Sequence, residues 1–188
     1  MSSERGRLVV ISGPTASGKS TLWRRLVELP RVCFSVSATT RAAREGEVDG
    51  RDYHFLSAAE FERRLAAGEF LEHAVVHGQR YGTLRAEVER ALQDGNDLLL
   101  EIDVQGAEQV RRSGLPVVSV FVKPPSEQVL RQRLRGRGTE TEEQMLRRLA
   151  IIDEEMKQAG DYDHVVVNDD FERMLAEVMG ILGLEEAA

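Results

Sequence analysis

The sequence has little of several features that define other classes of protein. One of its 188 residues is a cysteine, Cys33, which excludes an intramolecular disulfide and favours a reducing compartment. No apolar run approaches the roughly 20 residues that a membrane-spanning helix needs. The net charge of −7 opposes general nucleic-acid binding, which requires a basic face. We therefore expect a soluble, cytoplasmic protein that binds neither nucleic acids nor membranes.

Lysine is scarce as well, and one of the few lysines lies in a recognisable motif. Of the 25 basic residues, only Lys19, Lys123 and Lys157 are lysines. Lys19 belongs to Gly13-Pro14-Thr15-Ala16-Ser17-Gly18-Lys19-Ser20, which matches the phosphate-binding loop G-x-x-x-x-G-K-[ST]. A short apolar run precedes this loop and a helical pattern follows it. This strand, loop and helix order is the one that phosphate binding requires.

Each fixed position of the loop has a chemical purpose. Glycine lets the backbone wrap a phosphate with its N–H groups turned inward. The start of the following helix adds partial positive charge at the same point. Lys19 can reach the terminal phosphates, and the Ser20 hydroxyl can ligate magnesium.

The remainder of the chain alternates between strand and helix patterns, which predicts an α/β fold with a largely parallel sheet. Near-continuous apolar runs favour strands that are covered on both faces. The predicted core strands span residues 8–12, 32–35, 97–102, 117–122 and 164–168.

Two segments do not fit this alternation, and we expect both to be insertions in a single domain. Residues 37–90 are rich in arginine, tyrosine and glycine, and residues 126–156 are helical and strongly charged. The predicted core comprises about residues 5–36, 91–125 and 157–188.

The first insertion contains a candidate site for an oxyanion. Arg41 and Arg44 lie among hydroxyl side chains, and arginine offers a planar fork of donors that matches phosphate. Taken alone, the segment is better explained as a solvated loop in which the arginines form ion pairs with Glu45 and Glu47.

Several further motifs occur in a fixed order along the chain. They are Ser-Val-Ser-x-Thr-Thr-Arg at 35–41, Gly-Glu-Val-Asp-Gly-x-Asp-Tyr at 46–53, Tyr-Gly-Thr at 81–83, Ile-Asp-Val-Gln-Gly at 102–106, Arg-Gly-Arg-Gly-Thr-Glu-Thr-Glu-Glu at 135–143 and Val-Asn-Asp-Asp at 167–170. With these motifs, nearly the whole sequence resembles the guanylate kinase family of nucleoside monophosphate kinases, which phosphorylate GMP with ATP. The resemblance implies a three-layer core with a parallel sheet and a phosphate-binding loop, a GMP-binding subdomain at 37–90 and a helical lid at 126–156.

The resemblance assigns the inserted segment to GMP. It implies that Arg41, Arg44, Tyr53 and Tyr81 hold the GMP phosphate, and that Ser37, Glu72 and Thr83 read the guanine. Guanine presents a ring N–H beside an exocyclic amine, and a carboxylate offers two matching acceptors. Without the resemblance, Glu72 would be interpreted as an ordinary exposed glutamate. Two departures from the family pattern are Ala42-Ala43, where a proline is usual, and Ala38, where histidine or serine is common.

An apolar strand ends in acidic residues at Glu101 and Asp103. A carboxylate at this edge of a parallel sheet can hold magnesium, usually through water. We expect Asp103 to serve the magnesium or the guanine, with Glu101 on the same strand face assisting. A helix N-cap at Asp103 is the structural alternative and is compatible with this role.

The second insertion carries arginines for the lid. The resemblance implies that Arg133, Arg137 and Arg148 fold over the phosphates, with Arg148 also contacting GMP, and that Gly136 and Gly138 give the loop freedom to close. Asn168 is expected near the adenine. The implied catalytic residues are Lys19, Arg41, Arg137 and Arg148. The implied ATP-binding residues are Gly13, Pro14, Thr15, Ala16, Ser17, Gly18, Lys19, Ser20, Thr21, Arg133, Arg137 and Asn168.

The sequence thus predicts magnesium-dependent transfer of a phosphate from ATP to GMP, and also to dGMP. Three other classes are less well supported. A kinase of phosphorylated sugars would need no guanine reader, a tRNA prenyltransferase shares only the letters of the loop, and a non-enzymatic scaffold module would lack a complete loop. The oligomeric state is left open.

Overall fold

The computed structural model describes residues 5–76, 78–135 and 142–185, except the side chains of residues 134–135 and 142–148. These residues form nine strands and seven α-helices. The strands are β1 Leu8–Ser12, β2 Val32–Phe34, β3 Ala38–Thr39, β4 His54–Phe55, β5 Phe70–Val76, β6 Gln79–Leu84, β7 Asp97–Glu101, β8 Val117–Lys123 and β9 His164–Val167. The helices are α1 Lys19–Leu26, α2 Ala58–Ala66, α3 Arg85–Gln93, α4 Val104–Arg112, α5 Glu127–Arg135, α6 Glu142–Lys157 and α7 Phe171–Leu182.

The strands form two sheets. The larger is a five-stranded parallel sheet in the order β2-β7-β1-β8-β9, and the smaller has four strands in the order β4-β3-β6-β5. All five strands predicted for the core are present, with ends that differ by no more than one residue. Every residue of β1 is buried, as a continuous apolar strand in a parallel sheet requires. The predicted α/β class with a parallel sheet is confirmed.

The described residues group into two compact units. The first comprises residues 5–9, 31–100 and 105–117 and contains the four-stranded sheet. Its local core consists of Ala38, Phe61, Phe70 and Leu84, all buried, with the rings of Phe61 and Phe70 stacked at 4.4 Å. This cluster joins α2 to three strands of the small sheet.

The second unit comprises the described residues among 10–30, 101–104 and 118–185. It contains the phosphate-binding loop and α1. Leu130 of α5 packs with Leu149 and Ile152 of α6, and Ala16 of the loop lies against this cluster. Burial of apolar side chains therefore connects the loop to the helices of the second predicted insertion.

Two helices begin at residues whose side chains cap them. Ser57 accepts a hydrogen bond from the N–H of Glu60, and Asp170 accepts one from Arg173, as N-cap residues do. Helix α3 begins without a side-chain cap, because β6 runs on to Leu84, which takes the N-cap position. Among the described helices, none has the length and apolar character to cross a membrane.

Candidate active site

The phosphate-binding loop has the strained backbone that its glycines allow. Gly13 and Gly18 have φ values of 141° and 105°, in the left-handed region that favours glycine. A Cβ on Gly13 would lie 2.2 Å from the carbonyl oxygen of Val122. Helix α1 begins directly after Gly18, with no side-chain cap and no acidic residue in its first turn. Its N-terminal N–H groups and partial positive charge thus suit an anion.

Lys19 lies folded onto this loop. Its Nζ donates to the carbonyl oxygens of Gly13 at 2.6 Å and of Pro14 at 2.9 Å. Burial raises the pKa of Glu155 on α6, the charge of Lys19 opposes that rise, and the charge of Asp103 adds to it. Glu155 is therefore within electrostatic reach of both residues. This proximity cannot be predicted from the sequence, because Glu155 is one of several acidic residues on a charged helix.

Ser20 and Glu101 form the polar contact that is best suited to a metal ion. The Ser20 hydroxyl lies 3.0 and 3.1 Å from the two carboxylate oxygens of Glu101. The indole Nε1–H of Trp23, one turn further along α1, donates to the same carboxylate at 2.6 Å. Glu101, expected to assist Asp103, thus contacts the loop serine directly.

This donor set fits magnesium. Hard oxygen ligands from one or two carboxylates and a hydroxyl, completed by water and substrate phosphates, are what magnesium takes in nucleotide kinases. Among the residues that the structure describes, no group of three or more His, Cys, Asp or Glu side chains could hold a metal ion alone. An ion here would rely on Ser20, the nearby acids and the nucleotide itself.

Asn168 approaches the loop from the end of β9. Its side chain is buried, and its Nδ2 donates to the carbonyl oxygen of Ser17 at 2.7 Å. Arg133, one of the expected lid arginines, donates to the carbonyl oxygens of Ala16 at 3.4 Å and of Asn168 at 3.2 Å. Both residues therefore contact the backbone of the loop region.

The first unit carries the second predicted anion site, with Arg41 at its centre. The two terminal nitrogens of Arg41 each lie 2.9 Å from a carboxylate oxygen of Glu47. The Glu47 carboxylate also accepts the N–H of Arg44 at 2.7 Å. These contacts lower the pKa of Glu47 and, together with a hydrogen bond to Tyr81, raise the pKa of Arg41. The ion pair considered in the solvated-loop interpretation forms with Glu47.

Aromatic rings complete the surroundings of Arg41. Its guanidinium carbon lies 5.2 Å from the ring centre of Tyr53 and 5.8 Å from that of Phe55, within the range of a cation–π interaction. The rings of Tyr53 and Tyr81 are 6.0 Å apart. Three of the four residues predicted to hold the GMP phosphate are thus in mutual contact. The fourth residue, Arg44, joins this group through its backbone N–H, which donates to Glu47.

Glu72 and Thr83 form a buried polar pair in the same unit. They are cross-strand neighbours in β5 and β6, and the register shift between Phe70 and Glu72 sets this pairing. Glu72 and Thr83 are 4 % and 0 % exposed, and the Thr83 hydroxyl donates to the Glu72 carboxylate at 2.7 Å. Glu72 is therefore not the ordinary exposed glutamate of the alternative interpretation. A buried carboxylate requires polar partners, because burial without them is costly.

Gly82, between Tyr81 and Thr83, packs closely against β5. A Cβ at this position would lie 2.8 Å from the ring of Phe70 and 2.9 Å from the carbonyl oxygen of Glu72. Ser37, the other predicted guanine reader, is half-buried just before β3, and its carbonyl accepts the N–H of His54 at 2.9 Å. Arg137 and the side chain of Arg148 lie outside the described residues.

Two contacts of the candidate site are not predicted by the sequence analysis, those of Trp23 and of Glu47. Trp23 was read only as part of the helix after the loop, although its indole is a donor that needs a partner when buried. Glu47 was read only as an ion-pair partner, although it contacts both arginines of the predicted anion site. Its place in the motif at 46–53 was the available signal.

The loop, the parallel sheet and the carboxylate beside Ser20 define a phosphate-loop nucleotide kinase. Residues 5–185 match the family model described as guanylate kinase. A guanylate kinase of Symbiobacterium thermophilum is 51 % identical over 184 residues, covering 97 % of this chain and 87 % of that protein. One of Rubrobacter xylanophilus is 50 % identical over 179 residues, covering 95 % of this chain and 94 % of that protein.

Solved structures of kinases are similar to this chain as well. A crystal structure of guanylate kinase from Anaplasma phagocytophilum has a TM-score of 0.77 and 37 % identity, covering 96 % of this chain and 86 % of that one. A structure described as a sugar kinase from Janibacter, 13 % identical with a TM-score of 0.52, shares the fold. The chain belongs to the guanylate kinase family, and the resemblance seen in its motifs is confirmed.

Proposed function

We propose that this protein transfers the γ-phosphoryl group of ATP to GMP, and also to dGMP, by direct in-line displacement. The observation that carries the substrate assignment is the buried Glu72–Thr83 pair in the sheet unit that also holds Arg41, Tyr53 and Tyr81. A paired acceptor for a base and a cluster of donors for a phosphate are what a nucleoside monophosphate requires.

Glu72 supplies the discrimination between bases. Guanine presents its ring N–H and its exocyclic amine as two parallel donors, and the carboxylate accepts both. Adenine lacks this pair of donors, which would leave a buried acceptor partly unsatisfied. Such a defect costs about 1–3 kcal/mol, or roughly 5- to 150-fold in binding.

Arg41, Arg44, Tyr53 and Tyr81 are proposed to hold the GMP phosphate. The fork of Arg41 is already fixed in direction by Glu47 and by the two aromatic rings, so less side-chain freedom is lost when the phosphate binds. The tyrosine hydroxyls donate to phosphate oxygens without adding charge.

The loop and α1 are proposed to hold ATP. Backbone N–H groups of residues 13–20 cradle the phosphates, Thr21 extends this cradle into the first turn of the helix, and Lys19 exchanges its two carbonyl partners for phosphate oxygens. Magnesium, when bound, neutralises charge on the phosphates, and Ser20 with Asp103 and Glu101 would hold it, partly through water. Arg133, Arg137 and Arg148 are proposed to stabilise the charge that develops during transfer.

We further propose that residues 37–90 form the GMP-binding subdomain and residues 126–156 the lid of a single catalytic domain. A lid that closes only over both substrates would keep water from hydrolysing ATP. The Arg41–Glu47 and Glu72–Thr83 contacts both lie within residues 37–90, which supports the first of these assignments.

A coupled assay of ADP release tests the function. With ATP and magnesium present, we expect rapid turnover with GMP, weaker turnover with dGMP and little with AMP or ribose 5-phosphate. Equal rates with AMP and GMP would overturn the guanine assignment. Turnover of ribose 5-phosphate alone would favour a sugar kinase instead.

A further inference from the structure

Trp23 is the only tryptophan in the sequence, and its polar end contacts the candidate metal site. The residue is half-buried, and its indole Nε1–H donates to Oε2 of Glu101 at 2.6 Å. An indole has one donor and no acceptor, and a buried tryptophan usually directs that donor to a partner. Because the acceptor here is a carboxylate, the bond is charge-assisted and roughly twice as strong as one between neutral groups.

Glu101 is held by two residues on one face of α1. Ser20 and Trp23 are three positions apart, a spacing that places their side chains one above the other on a helix. The Ser20 hydroxyl lies 3.0 and 3.1 Å from the two carboxylate oxygens, and the indole occupies one further position on Oε2. A carboxylate offers about four lone-pair sites, so acceptor capacity is left for a metal ion or for its waters.

The groups on both sides of this contact are themselves fixed. The backbone after Glu101 is tied to β1, because the Ser12 hydroxyl donates to the carbonyl oxygen of Ile102 at 2.8 Å. The guanidinium carbon of Arg24 lies 5.3 Å from the centre of the Trp23 ring, within the range of a cation–π interaction. Ordering the flexible side chain of Glu101 costs entropy, and the indole bond orders it before a metal ion binds.

We propose that Trp23 is a positioning residue for the metal site, which orients the Glu101 carboxylate toward an ion bound at Ser20. An indole N–H cannot ligate a cation, so Trp23 acts through Glu101. Hydrogen-bond partners of ligating carboxylates have this role in metal sites generally. The inference rests on the proposed site for ATP and magnesium, and it assigns a role there to a residue outside the loop motif.

The first test measures Mn²⁺ affinity of the full chain by electron paramagnetic resonance with ADP present. Trp23→Phe keeps an aromatic ring but has no donor. We expect Mn²⁺ to bind it roughly 3- to 10-fold more weakly, a modest loss for such a partner because Glu101 is proposed to act partly through water. Binding of GMP, and of ADP without metal, should be unchanged. Arg25→Gln, at an exposed arginine of the same helix that pairs with Glu28, is the matched control.

A double-mutant cycle shows whether Trp23 acts through Glu101. In a Glu101→Gln background, Trp23→Phe should weaken Mn²⁺ binding by a much smaller factor than in the parent. Equal factors in the two backgrounds would overturn the proposal, and so would loss of GMP binding in Trp23→Phe, which indicates a general role in stability. Unchanged affinity in Trp23→Phe beside weakened affinity in Glu101→Gln would overturn this inference while leaving the proposed metal site intact.

A second measurement needs no variant of Trp23. Since the chain has one tryptophan, selectively excited indole emission reports on this residue alone. Adding Mg²⁺ to the ADP complex should shift that emission, and the shift should be largely lost in Glu101→Gln at saturating Mg²⁺. Emission that does not respond to Mg²⁺ in the parent would contradict the proposal even if Trp23→Phe does not fold. Neither measurement involves phosphate transfer to GMP, so the inference and the proposed reaction can fail separately.

Discussion

Both carboxylate oxygens of Glu47 accept hydrogen bonds from Arg41, each 2.9 Å from a terminal nitrogen of the guanidinium. The same carboxylate accepts a hydrogen bond from the backbone N–H of Arg44. One side chain thus sets the direction of the arginine and the shape of the loop that follows it. The pair is largely shielded, with 15 % and 20 % of the two side chains exposed. We expect this contact to prepare Arg41 for the GMP phosphate.

Replacing Glu47 by glutamine tests that expectation. The charge-assisted pair is lost and Arg41 gains freedom, so the KM for GMP should rise roughly 3- to 10-fold while the KM for ATP stays unchanged. Glu45→Gln is the control, since Glu45 is an exposed neighbour in the same loop. If the two variants behave alike in steady-state kinetics, Glu47 does not prepare Arg41.

Glu72→Gln should alter the choice of base. A glutamine keeps one acceptor but places a donor against guanine, so the ratio of kcat/KM for GMP to that for IMP, which lacks the exocyclic amine, should fall by roughly tenfold. Glu69→Gln, at a half-buried glutamate nearby in the sequence that pairs with Arg63, should leave the ratio unchanged. An unaltered ratio in Glu72→Gln would remove Glu72 from base recognition.

Lys19→Ala should reduce turnover by orders of magnitude, because its charge is proposed to act on the terminal phosphates. Lys19 donates to the carbonyl oxygens of Gly13 and Pro14, two residues of its own loop, so we expect the fold to survive its removal. Turnover is measured by the coupled assay, and thermal unfolding verifies the fold. Lys157→Ala, which removes an exposed lysine paired with Glu154, is the control. Near-normal turnover in Lys19→Ala would contradict its role.

Metal affinity should depend on the contact between Ser20 and Glu101. With ADP present, Mn²⁺ titrated by electron paramagnetic resonance should bind several-fold more weakly to Ser20→Ala and to Glu101→Gln, because each loses an oxygen donor suited to a hard cation. Glu108→Gln, at an exposed glutamate of α4, should bind as the parent does. Unchanged Mn²⁺ affinity in both site variants would place the ion elsewhere.

The thiol of Cys33 should react slowly with thiol reagents. Burial, and then the negative charge of Asp97, raise the pKa of this thiol above its ordinary value of 9.0. Less thiolate is present at pH 8, so the native protein should react with Ellman's reagent more slowly than the same protein in urea. The raised pKa also makes stability depend on pH. The neutral thiol contributes fully to the free energy of unfolding below pH 9.0, and this contribution is lost as the pH rises through the raised pKa of the folded protein. Equal rates in native and unfolded protein would contradict the raised pKa.

The sequence predicted what depends on local pattern. Loop spacing identified residues 13–20, and continuous apolar runs located all five strands of the large sheet to within a residue at each end. Both signals are contained within a few neighbouring positions, where periodicity and turn chemistry act.

It did not predict contacts between distant segments. The pairing of β5 with β6 places Thr83 against Glu72. Asn168 reaches Ser17 across 151 positions, and the Glu101 carboxylate contacts the Ser20 hydroxyl. Each of these outcomes depends on strand register and on which side chains the sheet brings together, information that one sequence does not contain.

Gly82 limits how this protein can be re-engineered. Any side chain there would collide with the Phe70 ring and the Glu72 carbonyl, and both belong to the strand that carries the carboxylate proposed to read the base. Libraries meant to retarget the enzyme to another nucleobase should therefore vary positions 72 and 83 and hold position 82 constant.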